Sequence, residues 1–235
     1  MIAGRAVRCA VAIMAKAPRP GEVKTRLVPP LSPAEAAALS AAFIRDIAAN
    51  IVAAASDAAI DGYVVFSPPG SEAALAPLLP AGVGLLPSRR IGLGASLLDA
   101  AIDLLDAGYG GVCLVNADSP TLPTQVLAAA ARTLLMPGDR VVLGPSDDGG
   151  YYLIGVKAPH RRLFEDIAWS TEVVFRQTTE RAAELGLAVT TLPLWYDVDD
   201  VASLRRLLAE LDAEPAPACS APHTRRAARP LASRL

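Results

Sequence analysis

Short apolar runs alternate along this chain with segments whose apolar positions recur at helical spacing. Val7–Met14, Tyr63–Ser67, Gly84–Pro87, Gly111–Val115, Arg140–Gly144, Tyr151–Val156 and Leu187–Leu192 read as strands. Gly111–Val115 is apolar throughout, as expected for a strand covered on both faces. Between them, helices are predicted from Ser32–Pro33 to about Ala55, and over Ser71–Leu79, Gly94–Ala107, Thr124–Leu135, Thr171–Leu185 and Val201–Leu211. On the second of the long helices Leu97, Leu98, Ala101, Ile102 and Leu105 share a face. The ends carry local signals: Ser32, Pro33 and Glu35 form a start pattern, and Gly186 a stop. Regular β/α alternation predicts a single α/β domain with a mostly parallel, doubly wound sheet. From Asp212 to Leu235 the periodicity is lost among Pro, Ala and Arg. The expectation is therefore a folded domain over 1–211 and a disordered tail over 212–235, with Arg225, Arg226, Arg229 and Arg234 solvated.

Composition narrows the class. The chain has 235 residues, with 22 Lys plus Arg against 24 Asp plus Glu, so it lacks the basic excess of a nucleic-acid binder. Hydrophobic residues make up 52%, but much of this is Ala in helical segments, and no uninterrupted strongly apolar run reaches membrane-spanning length. The apolar stretch near the N-terminus is short and β-like, so it reads as a first strand and a cytoplasmic location is expected. Cys9 and Cys113 fall within strands, Cys219 lies in the tail, and no Cys-x-x-Cys pair suggests thiol-bound zinc or a disulfide framework. His160 and His223 are the only histidines, which disfavours a histidine metal site or a Ser-His-Asp triad.

The chemistry is concentrated where strands empty into loops. The first strand runs into KAPRPGEVKTRL, which places Lys16, Arg19, Lys24 and Arg26 on one Pro/Gly-stiffened loop suited to polyphosphate. In a doubly wound sheet, ligands bind beyond the carboxyl ends of the strands, and three acidic motifs fall there. In NADSPTLP, Asp118 follows a buried strand and can hold Mg²⁺ or Mn²⁺ against phosphates. In GPSDDGGYYLIGV, Asp147 and Asp148 precede Gly149 and Gly150; a hairpin accounts for one Asp-Gly but not for the doubled pair. In YDVDD, Asp200 suits a helix N-cap, leaving Asp197 and Asp199 as candidate ligands beside Asp118. Gly92 and Gly94 precede a helix and give weaker evidence of nucleotide contact; the fuller GxGxxG pattern fails at Leu97, against a dinucleotide-binding dehydrogenase.

Taken in order, KAPRPGEVKTRL, NADSPTLP, GPSDDGGYYLIGV, the triplet Trp169-Ser170-Thr171 and YDVDD resemble the radical-SAM/selenodomain-associated transferase 1 family over roughly Val7 to Leu211. That family is glycosyltransferase-like and belongs with the nucleotide-diphospho-sugar transferases of the GT-A fold; it is also similar to 2-phospholactate guanylyltransferase and the molybdenum-cofactor guanylyltransferases. The resemblance implies a single Rossmann-like three-layer GT-A domain. It implies metal ligation by Asp118 and Asp199 and phosphate contacts from Lys16, Lys24 and Arg26. Asn116-Ala117-Asp118 departs from the Asp-x-Asp of many glycosyltransferases, and Asn116 is left to coordinate or to bind ribose.

Three functions are consistent with these residues. The first is a Mg²⁺- or Mn²⁺-dependent transferase acting on a nucleotide-sugar, with Asp147 or Asp148 orienting or deprotonating an acceptor. The second is a nucleotidyltransferase that releases pyrophosphate from a nucleoside triphosphate, which the cationic first loop favours. The third is a non-catalytic nucleotide-binding protein, which would not need so many carboxylates. The expected partners are a nucleotide donor and a small-molecule acceptor, with no nucleic acid and no membrane span.

Overall fold

The computed structural model describes residues 7–213 and 219–235. Seven strands form one sheet: β1 (Cys9–Lys16), β2 (Ile60–Ser67), β3 (Gly84–Pro87), β4 (Gly111–Asn116), β5 (Arg140–Pro145), β6 (Tyr151–Val156) and β7 (Ala188–Thr191). Their order is β3-β2-β1-β4-β6-β5-β7. β1 pairs in parallel with β2 and β4, β2 with β3, and β5 with β7, whereas β6 is antiparallel to both β4 and β5. The mostly parallel prediction therefore holds, with one reversed strand. The reversal follows from the short Asp-Gly-Gly connection between β5 and β6, because a tight hairpin can join only antiparallel strands.

Side-chain alternation along the strands divides the core. Cys9, Val11 and Ile13 of β1 face one layer, packing with Ile44, Ala48 and Ile51 of α1 (Pro33–Ala54) and Leu127, Ala131 and Leu134 of α4 (Thr124–Leu135). Ala10 and Ala12 face the other layer, with Leu97, Ala101 and Leu104 of α3 (Leu93–Asp106) and Ala182 of α5 (Val174–Glu184). The result is the expected three-layer α/β/α domain; α2 (Glu72–Leu75) is a single turn after β2.

Local signals act as the sequence indicated. Ser32 and Glu35 form a reciprocal capping box with Pro33 in the first turn of α1. Asp200 caps α6 (Val201–Leu211) by accepting from Ser203 N at 2.8 Å. Gly186, at φ 67°, follows α5. Cys9 and Cys113 are free and buried. Among the described residues one helix, α1, is long and apolar enough to cross a membrane, but 67% of that window is buried against the protein itself.

The tail departs from expectation. Residues 214–218 lie outside the described residues, but Pro222–Ala228 forms a helix, α7, followed by a 3₁₀ segment over Arg229–Arg234. Ala221, Ala228 and Leu231 join a third apolar cluster with Leu39 and Phe43 of α1 and Leu204, Leu207 and Leu211 of α6. The arginines are not all free in solvent either: Arg234 pairs with Glu35 at 2.5 Å, and Arg225 lies 3.9 Å from Asp212. A few small apolar residues suffice to anchor this segment because α1 and α6 already present a matching apolar groove.

Candidate active site

Strand order reverses direction beside β1, between β2 on one side and β4 on the other, so the loops after β1 and β4 diverge and leave a crevice. A cleft of about 790 Å³ opens there. Its walls include Lys16, Glu22, Lys24 and Thr25 from the first loop, Ser67 and Pro68 after β2, Arg89 to Leu93 before α3, and Asp118 and Asp199 at the inner end.

Lys24 organises the inner end. Its ammonium donates to Asp118 Oδ1 at 2.5 Å, Asp199 Oδ1 at 2.8 Å and the Val198 carbonyl at 2.7 Å. Those three bonds use all its donors. The side chain is only 5% exposed and lies over the Phe43 ring, with Nζ 5.5 Å from the centroid. Burial alone works to strip its proton, but the charges of Asp118 and Asp199 outweigh that and raise its pKa. Desolvation pushes the Asp118 carboxyl above the ordinary aspartate range; Lys24 offsets part of this and Asp199 adds to it.

Backbone bonds lock the two acidic loops together. Val198 N donates to Asp118 O at 2.9 Å, and Ser119 Oγ donates to Tyr196 O at 2.9 Å. Behind them Glu210 of α6 accepts from Thr121 Oγ1 at 3.2 Å and from the Tyr196 hydroxyl. Asp197 accepts from Ser146 Oγ at 3.1 Å; burial first, then the charges of Asp199 and Asp148, push its pKa up to about 6.

Several predicted site residues take other roles. Asn116 does not line the cleft: its Oδ1 accepts from Asp118 N at 3.4 Å and shapes the turn that presents Asp118. Arg26 is exposed on the 3₁₀ turn after Lys24, outside the cleft lining, and its charge acts on Asp200. Asp147 is ion-paired at 2.5 Å with Arg206, which stacks 3.8 Å above the Tyr196 ring. Asp148 Oδ1 accepts from Gly150 N at 2.9 Å in the hairpin turn, and neither hairpin aspartate lines the cleft.

The glycines divide in the same way. Gly92, at φ 93°, lines the cleft at the start of α3. Gly94 is instead covered by Trp169, whose Nε1 would lie 2.5 Å from an added Cβ. Gly149 meets the Glu172 backbone: an added Cβ would lie 2.1 Å from its carbonyl oxygen, at a φ of 87°. This contact, with the positive φ, accounts for the glycine at 149. Lys16 lines the cleft, whereas Arg19, outside the lining, donates to Ser71 Oγ at 3.0 Å. Pattern reading singled out neither Glu210 nor Arg206, because both lie within an ordinary amphipathic helix. Their only signal is an acid and a base on the α6 side that meets the YDVDD loop.

The strand order, the antiparallel β6 and the cleft at the β1/β4 divergence define a GT-A-like nucleotide-transferase fold. The chain belongs to the family described as an uncharacterized protein conserved in bacteria (DUF2064), whose profile matches residues 50–171. Among solved structures it is similar to a protein of Desulfovibrio desulfuricans G20 named provisionally as a nucleotide-diphospho-sugar transferase. The two are 27% identical, with a TM-score of 0.82 over 97% of this chain and 96% of that one. It is also similar to CMP:2-keto-3-deoxy-manno-octonic acid synthetase complexed with CTP, at 12% identity and a TM-score of 0.54 over 85% of this chain and 96% of that one. The inositol-1-phosphate CTP transferase of T. maritima is 13% identical, with a TM-score of 0.53 over 85% of this chain and 92% of that one. At these last two identities the likeness is one of fold. No curated protein sequence matches the chain.

Proposed function

We propose that this protein is a metal-dependent transferase that binds a nucleotide-activated donor, a nucleotide-sugar in the first instance, in the cleft beyond β1 and β4. The carrying observation is the convergence of Asp118 and Asp199, from two different strand ends, on one cationic point at the inner end of that cleft. The relative at 27% identity, which spans nearly the whole chain and is named for nucleotide-diphospho-sugars, supports the donor class. The narrower resemblance to the radical-SAM/selenodomain-associated transferases belongs to the same reading, as does a cytoplasmic location.

The donor set suits Mg²⁺ or Mn²⁺, because both side chains present hard carboxylate oxygens. Among the described residues no group of three or more His, Cys, Asp or Glu has metal-binding geometry, so phosphate and water oxygens would complete the shell. When bound, the cation would neutralise charge developing on the phosphates. Lys16 and the amides at the start of α3 would hold the phosphate chain from the opposite wall. Ser67, Pro68 and Ser88 would bound the nucleoside end. The hairpin aspartates lie outside the cleft lining, Asp147 paired with Arg206 and Asp148 holding the Gly150 amide, so the donor cleft itself assigns neither of them the acceptor-orienting role.

A second reading, nucleotidyl transfer, is favoured by the cations of the first loop, two of which, Lys16 and Lys24, line the cleft. One assay separates the two. Each nucleotide-sugar and nucleoside triphosphate is incubated with the protein, with and without Mn²⁺, and the released product is identified. A nucleoside diphosphate from a nucleotide-sugar supports the first reading; pyrophosphate from a triphosphate supports the second. No turnover and no binding of either donor class with Mn²⁺ would refute both.

A further inference from the structure

The first loop spends its best-placed cation on the protein's own carboxylates. Lys24 is the loop residue closest to Asp118 and Asp199, yet its three donors are taken by those side chains and the Val198 carbonyl. The backbone is committed to this arrangement: Lys24 is a non-glycine residue at φ 49°, a left-handed conformation that turns the chain at the start of the 3₁₀ segment. The side chain is shut in between Phe43 and the two acidic loops.

A divalent cation that bridges the Oδ1 oxygens of both carboxylates takes the position that the ammonium now holds. Two cations cannot share it, so Lys24 must withdraw and give up all three bonds at once. Few acceptors in the cleft can receive it. Glu22 is the one other acid on the wall, and it is exposed on the outer part of the same loop. A polyphosphate laid along the cleft brings several negative oxygens within reach of the same stem. Conversely, a polyphosphate arriving without a cation meets two carboxylates balanced by one ammonium, a net negative inner end.

We propose, resting on the metal-dependent reading above, that Lys24 is the counter-ion that reserves the Asp118–Asp199 centre for a cation arriving together with polyphosphate. It exchanges the carboxylates for phosphate oxygens as the pair enters. Lys24 is thereby a specificity residue. It opposes binding of the free cation, the two carboxylates oppose binding of free polyphosphate, and the exchange couples the binding of the two.

The test uses Mn²⁺ and inorganic pyrophosphate, which need no knowledge of the base or sugar. Acetylation of individual lysines in the full-length protein is followed by mass spectrometry in four states: no addition, Mn²⁺, pyrophosphate, and both. Lys24 should be inert in the resting protein relative to exposed Lys16. It should gain reactivity about tenfold with saturating Mn²⁺ alone, and be protected again when pyrophosphate is added with Mn²⁺. In parallel, free Mn²⁺ affinity is measured by electron paramagnetic resonance. Lys24→Met should bind Mn²⁺ about tenfold more tightly than wild type, while Lys16→Met, which removes the same charge from the outer cleft, should change it by less than about twofold. The labelling series needs no variant, so a folding defect in Lys24→Met would not weaken it. Mn²⁺ that binds wild type without changing Lys24 reactivity, or that binds a folded Lys24→Met no better, overturns the exchange while leaving the metal-dependent reading standing. No Mn²⁺ binding by wild type even with pyrophosphate overturns both.

Discussion

Asp46 offers a sharp energetic test of how the C-terminal segment is held. It lies on the buried face of α1, 2% exposed, and its two oxygens accept from His223 N at 3.1 Å and Thr224 N at 2.6 Å. These are the first free amides of α7. The helix starts at Pro222, and its N-cap position, Ala221, has no side chain able to accept them. A carboxylate from another helix therefore does the work of a cap, and it adds a negative charge at the helix N-terminus. A hydrogen bond to a charged group contributes about 1.5–3 kcal/mol, and Asp46→Ala removes two of them. The carboxylate is also relieved of its desolvation, which offsets part of the loss. A net cost of about 2–4 kcal/mol is expected. For a chain of this size, that corresponds to a fall in Tm of roughly 5–15 °C.

The assay is thermal unfolding of wild type and Asp46→Ala, each also truncated after Ala213. Truncation by itself should lower Tm, because it strips Ala221, Ala228 and Leu231 from the groove between α1 and α6. In the truncated background Asp46 has no amides to accept, so the substitution should be neutral or slightly stabilising. An equal loss in both backgrounds would refute the capping argument and make Asp46 a residue of α1 alone. An unchanged Tm in the full-length protein would show that α7 does not depend on this contact.

Three further outcomes follow from the site and its supports. Gly149→Ala combines a positive φ with a Cβ 2.1 Å from the Glu172 carbonyl, so chemical denaturation should show a loss of about 3 kcal/mol or failure to fold. Lys16→Ala should weaken binding increasingly from nucleoside mono- to di- to triphosphate in calorimetry, whereas Arg26→Ala, outside the cleft, should leave the series within about twofold of wild type. Glu210→Gln exchanges the acceptor shared by Thr121 and Tyr196; it should cost about 1–2 kcal/mol of stability and raise the Mn²⁺ concentration needed for half-maximal turnover, with Thr121→Ala changing that concentration in the same direction.

What could be read from the chain was set by how far apart the interacting residues lie. Strands, the Ser32–Glu35 capping box and the Asp200 cap depend on neighbours a few positions away, and all three were legible. So was the gathering of acidic motifs at one end of the sheet, because β/α alternation dictates where strand ends go. The fine roles were not legible. Lys24 looked like a phosphate ligand because its loop is cationic; that it turns inward depends on Asp199, 175 residues on. Gly94 looked like part of a nucleotide loop, yet its missing side chain is filled by Trp169. The tail looked disordered because its own apolar content is small, and its helix has no cap of its own. The cap comes from Asp46, 178 residues before Thr224, and the apolar groove from α1 and α6. The same distance argument bears on function. The carboxylates, the ammonium between them and the acid behind them come from four separate segments, so the charge state of the centre is a property of the assembled fold. A motif can single out Asp118 as a carboxylate at a strand end, but only the packing shows that it is paired there with a lysine from the first loop.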